Sequence, residues 1–270
     1  MSRIYEALIE AEKEGIPCAL ATVVGTIGCA PRGAGTKMLI YGDGKTEGTV
    51  GGGRTEQQVI GDALAAIRSG APLLKVYAEY ADPQKADCVK SLSVFIEPQD
   101  FLPRLYLLGA GHVAQGVIPI AKAAGFHVTV LDTRDTSAYM DRLALADRVI
   151  RIESYADLSP VPIAPEGYFV LCTSSHKGDG EALASVLPLQ PAYVGMLGAK
   201  HKFLPIFENM RKLGYTDEQL KEIYAPVGLD IGGQTPAEIG IGITAELMAV
   251  RYGRDGGSLR EKRRASLFPD

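Results

Sequence analysis

The hexad Gly109-Ala110-Gly111-His112-Val113-Ala114, which directly follows the apolar run Leu105–Leu108, restricts this chain more than any other feature. It has the form G-x-G-x-x-A at the junction of a strand and a helix. The first glycine permits a tight turn, the second lets backbone amides approach a phosphate, and a small third residue allows the helix to pack closely on the strand. The helix start then offers unpaired N–H groups and a positive dipole end to an anion, with His112 and Val113 in its first turn. Asp132 ends the next apolar run, 21 positions after Gly111, where an acid accepts a hydrogen bond from a ribose hydroxyl. Arg134, two residues on, offers a phosphate contact instead. The plain alternative is a tight turn in an α/β sheet with nothing bound.

From Arg104 onward strand-like and helix-like runs alternate: FHVTVLD, YFVLCTSS, GDGEALASVL, AYVGMLG and KHKFLPIFENMRKLG. Such alternation predicts a parallel sheet with helical crossovers. Thr235, Pro236 and Glu238 supply an N-cap, a first-turn proline and a capping-box acid, so a helix starts there. Before Arg104 the pattern differs: a helix over 2–14, β-rich runs over 17–25 and 36–41, a helix that stops at Gly70, and strands over 73–80 and 91–98. Two glycine-rich loops, TIGCAPRGAG and GTVGGG, interrupt them. The expected class is therefore α/β, with a C-terminal Rossmann-type parallel sheet and a smaller N-terminal α+β domain. The aperiodic, proline-containing stretch 97–104 separates a domain over 1–98 from one over 104–256, followed by a polar, basic tail over 257–270.

Two domains also suit 270 residues. A net charge of −4 and no basic stripe argue against nucleic-acid binding. No apolar run is long enough to span a membrane, and the first residues read as an amphipathic helix rather than a signal peptide, so a cytoplasmic protein is expected. Cys18, Cys29, Cys88 and Cys172 contain no C-x-x-C pair and suggest neither a zinc site nor a disulfide framework. The histidines His127, His176 and His201 fall in no catalytic arrangement that commits to a reaction.

Five stretches, 28–40, 48–56, 107–115, 173–202 and 226–239, together resemble the XdhC/CoxI family, the xanthine dehydrogenase accessory proteins that act as molybdenum-cofactor chaperones. The resemblance implies a protein that binds molybdopterin or its dinucleotide form, protects it and hands it to an apo molybdenum hydroxylase of the xanthine dehydrogenase type. It implies that Pro31, Arg32, Gly35 and Lys37 belong to a ligand site facing the Rossmann crevice. Arg brings a planar fork for phosphate or a pterin oxygen, and Lys a mobile charge. At Asp230-Ile231-Gly232-Gly233, amides and an acid precede the Thr235 helix and offer a further ligand contact. Two departures stand out. The family's S-G-G-C-x-E reads Gly51-Gly52-Gly53-Arg54-Thr55-Glu56 here, and its C-G-G reads Cys88-Val89-Lys90. A thiolate is the natural soft ligand for molybdenum or carrier of sulfur, so both roles are in doubt; Arg54 instead strengthens anion binding beside Gly52 and Gly53. The other readings are an NAD(P)-dependent oxidoreductase and a nucleotide-binding regulatory module without chemistry. A homodimer is the expected assembly.

Overall fold

In the computed structural model the described residues are 2–28, 32–80, 89–99, 101–137, 140–164 and 166–262. Cys29, Pro31, Cys88 and residues 263–270 of the tail lie outside them. The chain divides into two units, Met1–Phe101 and Leu102–Asp270.

The first unit runs α1 (Ser2–Glu14), β1 (Cys18–Ile27), β2 (Lys37–Tyr41), β3 (Thr46–Gly48), α2 (Gly53–Ser69), β4 (Leu73–Tyr80) and β5 (Val89–Pro98). Its antiparallel sheet has the order β3-β2-β1-β5-β4. Successive side chains of a strand point to opposite faces, and here both faces are covered. Ala19, Ala21, Val23, Met38 and Ile40 pack with Val59 and Ala63 of α2. Cys18, Leu20 and Leu39 pack with Ala11 and Leu8 of α1. That double burial is why 17–25 reads as one apolar run instead of alternating.

The second unit runs β6 (Arg104–Leu108), α3 (His112–Ala123), β7 (His127–Asp132), α4 (Met140–Leu143), β8 (Arg148–Arg151), β9 (Tyr168–Leu171), α5 (His176–Val186), β10 (Tyr193–Met196), α6 (Lys200–Lys212), α7 (Asp217–Lys221) and α8 (Pro236–Arg251). Its strands are all parallel, in the order β10-β9-β6-β7-β8. Leu105 and Leu107 face α3 and α8, while Tyr106 and Leu108 face α5 and α6. This is the Rossmann arrangement, a parallel sheet with helices on both faces. Helices α3 and α8 approach closely because both lack side chains at the contact: a Cβ on Gly116 would lie 2.2 Å from the Pro236 carbonyl oxygen, and one on Gly240 2.6 Å from that of Gly116. The capping box at Thr235 is present, with its hydroxyl accepting from the Glu238 amide and the Glu238 carboxylate accepting from the Thr235 amide.

Candidate functional site: the crevice over the carboxyl ends of β6 and β9

The strand order reverses between β6 and β9, so the loops leaving their carboxyl ends open a crevice there. Gly109 turns the chain out of β6 with its amide donating to the Leu131 carbonyl at 2.7 Å. Its φ is +117°, and a Cβ would stand 2.3 Å from the Cys172 carbonyl oxygen, so no side chain fits there. Gly111 has the opposite character. It occupies the N-cap position of α3 at φ −69° with no side-chain cap, and a Cβ there would meet nothing within 4 Å. Open space thus lies against the start of α3, where backbone amides and the helix dipole favour an anion. His112 is exposed on that first turn, and Val113 is half-buried against the core. Ser175 caps α5 and Thr235 caps α8 with their own hydroxyls, whereas α3 and α6 carry no side-chain cap.

Its place at the end of β7 suggested a contact with a ribose, but Asp132 does not stand open to one. It is fully buried. One carboxylate oxygen accepts from the Ala110 amide and an Arg134 guanidinium N–H, both at 2.7 Å. The other accepts from the Arg134 amide at 2.8 Å and its Nε at 2.9 Å. Four donors fill the lone pairs a carboxylate offers. Burial alone would raise the pKa, but the Arg134 guanidinium and the amides of Arg134 and Ala110 outweigh it and hold the group below the usual carboxylate range. In this arrangement Asp132 anchors the glycine loop, and Arg134 closes over it with its side chain about half exposed.

The other wall rests on residues that sequence reasoning gave no role. Asp179, fully buried in the first turn of α5, accepts from the Thr173 amide at 3.0 Å and pairs with the ammonium of Lys202 on α6. Lys202 also donates to the Leu197 carbonyl at 2.7 Å, so one ion pair ties together the loops after β9 and β10. The partners are 23 positions apart on different helices, and no local pattern announces them. Between the walls Cys172 donates from its thiol to the Gly109 carbonyl at 3.5 Å. Burial pushes that thiol up to about 12, so it is a packing group and not a nucleophile.

In the first unit Glu56 decides the character of the GTVGGG loop. Its Oε2 accepts from the amides of Val50 at 3.1 Å and Gly52 at 3.0 Å and from the Thr49 hydroxyl. Of the two glycines expected beside an anion, Gly52 therefore already has its amide turned onto an internal carboxylate. Burial of Glu56 opposes ionisation, yet the Thr49 hydroxyl and the loop amides lower its pKa overall. An acid in the first turn of a helix that follows a glycine loop was the available signal. Gly53 and Arg54 are exposed at the start of α2. Lys37 is likewise tethered, its Nζ donating to Thr22 Oγ1 at 3.0 Å across the β1–β2 pair. Arg32 and Gly35 are exposed, as are Asp230 and Gly232 in the turn before α8. Among the described residues no group of three or more His, Cys, Asp and Glu is placed to hold a metal ion. The rings of His176 and His201 meet edge-on from the starts of α5 and α6, with centroids 6.5 Å apart. Among the described residues no helix is long and apolar enough to cross a membrane.

A parallel sheet of this order, with a glycine turn and an open helix start at its switch point, defines a Rossmann-type domain. Residues 105–247 match the model of the XdhC Rossmann domain and residues 11–78 that of the XdhC and CoxI family. The chain belongs to this family. It is 31% identical over 258 residues to the uncharacterized protein YqeB of Escherichia coli K12, covering 94% of this chain and 47% of that relative. It is 26% identical over 162 residues to a probable xanthine dehydrogenase component of Bacillus subtilis 168, covering 60% of this chain and 47% of that protein. The chain thus spans about half the length of the curated relatives it matches. A crystal structure of a xanthine dehydrogenase from Bacillus halodurans superposes with a TM-score of 0.50 at 22% identity, over 95% of this chain and 98% of that one, which reflects a shared fold.

Proposed function

We propose that this protein is a xanthine dehydrogenase accessory protein that binds the molybdenum cofactor, as molybdopterin or its dinucleotide form, and delivers it to an apo molybdenum hydroxylase. The observation that carries the reading is the open cradle at Gly111, where a side chain would meet nothing and the uncapped α3 faces outward, in a chain whose two family matches are both XdhC models. The fit is with the cofactor's phosphate end: the amides at the start of α3 would hold the phosphate, while Asp132 and Arg134 keep the loop in shape. A cofactor bound there contributes its own redox chemistry only after transfer, and the chain's task is to bind it and shield it from water. Neither described free cysteine is offered as a thiolate, since burial pushes both Cys18 and Cys172 up to about 12. Among the described residues, recognition therefore rests on amides and polar side chains.

Equilibrium binding of molybdopterin under anaerobic conditions, with NAD and NADP titrated in parallel, tests this. The expected result is a Kd of about 1 µM or tighter for molybdopterin, a binding free energy near 8 kcal/mol. Gly111→Val, which fills the cradle, should weaken it at least about tenfold while leaving thermal unfolding in place. Binding of NAD or NADP alone would reject the reading, as would wild-type affinity in Gly111→Val.

A further inference from the structure

We infer that the groove between α5 and α6 binds the nucleoside monophosphate moiety of a ligand, with the phosphate at the amino-terminal turns of the two helices and the base over Gly180 toward Asn209. The helices leave the carboxyl ends of the paired parallel strands β9 and β10, so they run side by side in the same direction. His176, Gly180 and Ala184 recur every four residues along α5, and His201, Pro205 and Asn209 do so along α6, so each trio forms one row. The rows begin at His176 and His201, whose ring centroids are 6.5 Å apart. Beyond the imidazoles space opens: a Cβ on Gly180 would meet only Ile206, at 3.9 Å. Facing small residues ordinarily let two helices close up. Here a cavity of about 450 Å³ remains between Gly180, Ala184, Pro205, Ile206 and Asn209, within the range of small-ligand sites. From His201 to Asn209 the axis rises ~12 Å, room for a phosphate, a ribose and a base in line.

The chemistry of the two ends selects the ligand. At the amino-terminal end Lys177 and Lys200 stand exposed beside His176 and His201, in a chain whose net charge is −4. The positive dipole ends of an 11-residue and a 13-residue helix add to them. Lys202 is not part of this set, since Asp179 neutralises it. The Lys177 ammonium lies 3.6 Å from Glu181 with its side chain 87% exposed, a pair that costs little to exchange for a phosphate. The imidazoles beside it offer a stacking face for a ring. The far end is polar without charge. Asn209 is exposed, and its carboxamide makes no hydrogen bond among the described residues. A carboxamide donates and accepts side by side, as the edge of a nucleobase does. Pro205 has no N–H to give the His201 carbonyl, which leaves a further acceptor beside the groove. A bare phosphate would leave the cavity unfilled, and an apolar ligand would have no use for the cations. Two sources supply such a moiety, a free nucleotide or the nucleotide half of a dinucleotide cofactor; only the second rests on the proposed cofactor binding.

Isothermal titration calorimetry of the full chain with CMP, AMP, cytidine and inorganic phosphate gives the test. A Kd of about 100 µM or tighter is expected for a nucleotide, with cytidine and phosphate each at least about tenfold weaker. Gly180→Leu fills the trough with a better helix former, so it should weaken nucleotide binding at least about tenfold without loss of thermal stability. Asn209→Ala and Lys177→Ala, both at exposed positions, should each weaken it severalfold. Parallel titrations with molybdopterin and its cytosine dinucleotide form separate the sources. A preference for the dinucleotide that Gly180→Leu removes assigns the groove to the cofactor's extension, and equal affinity for the two forms assigns it to a free nucleotide. A chain that binds CMP or AMP but neither cofactor form keeps the groove and rejects the cofactor reading. The inference is overturned if neither a free nucleotide nor the dinucleotide form binds in a way that Gly180→Leu weakens, or if phosphate alone binds as tightly as CMP.

Discussion

Replacing Gly109 by alanine adds a single methyl group, and the structure specifies what that group meets. Two costs arise. At φ +117° an L-residue is held outside its allowed region, for about 1–2 kcal/mol. The new Cβ also falls 2.3 Å from the Cys172 carbonyl oxygen, and neither strand β6 nor β9 can retreat without breaking the ladder between them. Overpacking of this kind costs about 1–3 kcal/mol. The total, about 2–5 kcal/mol, is a large part of the 5–15 kcal/mol that stabilises a typical domain. For a unit of this size it should lower the melting temperature by about 4–20 °C. Gly111→Ala is the internal control. It lies two residues away at an allowed φ of −69° with open space in front, so its unfolding free energy should change by less than about 1 kcal/mol. Thermal and urea unfolding of both variants, followed by circular dichroism, decides the matter. If Gly109→Ala melts within a degree of wild type, the account of the crevice turn is wrong.

Asp132 should make stability depend on pH. Its folded pKa lies below that of the unfolded chain, so its contribution is fully present above about pH 4 and is lost as pH falls through the folded value. The gap in urea midpoint between wild type and Asp132→Asn should be wide at pH 7 and shrink below pH 4; a gap constant with pH would remove the ion pair from the explanation. Cys18 and Cys172 should resist a thiol reagent at pH 8 in the native protein and react on unfolding, since burial pushes both thiols up to about 12. Rapid labelling of Cys172 in the folded state, read by peptide mass, would contradict its place beneath the glycine turn.

Much of this protein is legible residue by residue. The G-x-G-x-x-A hexad, the helix–strand alternation after Arg104 and the capping box at Thr235 are local signals, because turns, caps and periodic apolar faces act over a few neighbouring residues. They suffice for the fold class and for where the crevice opens. Other elements left no such mark. Edge strand β8 is half-exposed and carries Arg148 and Arg151, so it lacks the apolar run that marks the central strands. The segment that buries Ile152, Tyr155, Leu158 and Val161 against the α5–α6 side has no period to read. The site shows the same division. Its glycines follow from the sequence, but what the acids do was decided only in three dimensions. Asp132 sits where a ligand contact was expected and Glu56 close to glycines that were, and each turns inward onto a neighbouring glycine loop. Asp179 finds Lys202 across two helices. A buried carboxylate takes whichever donors surround it, and that surrounding is a product of packing between segments distant in the chain.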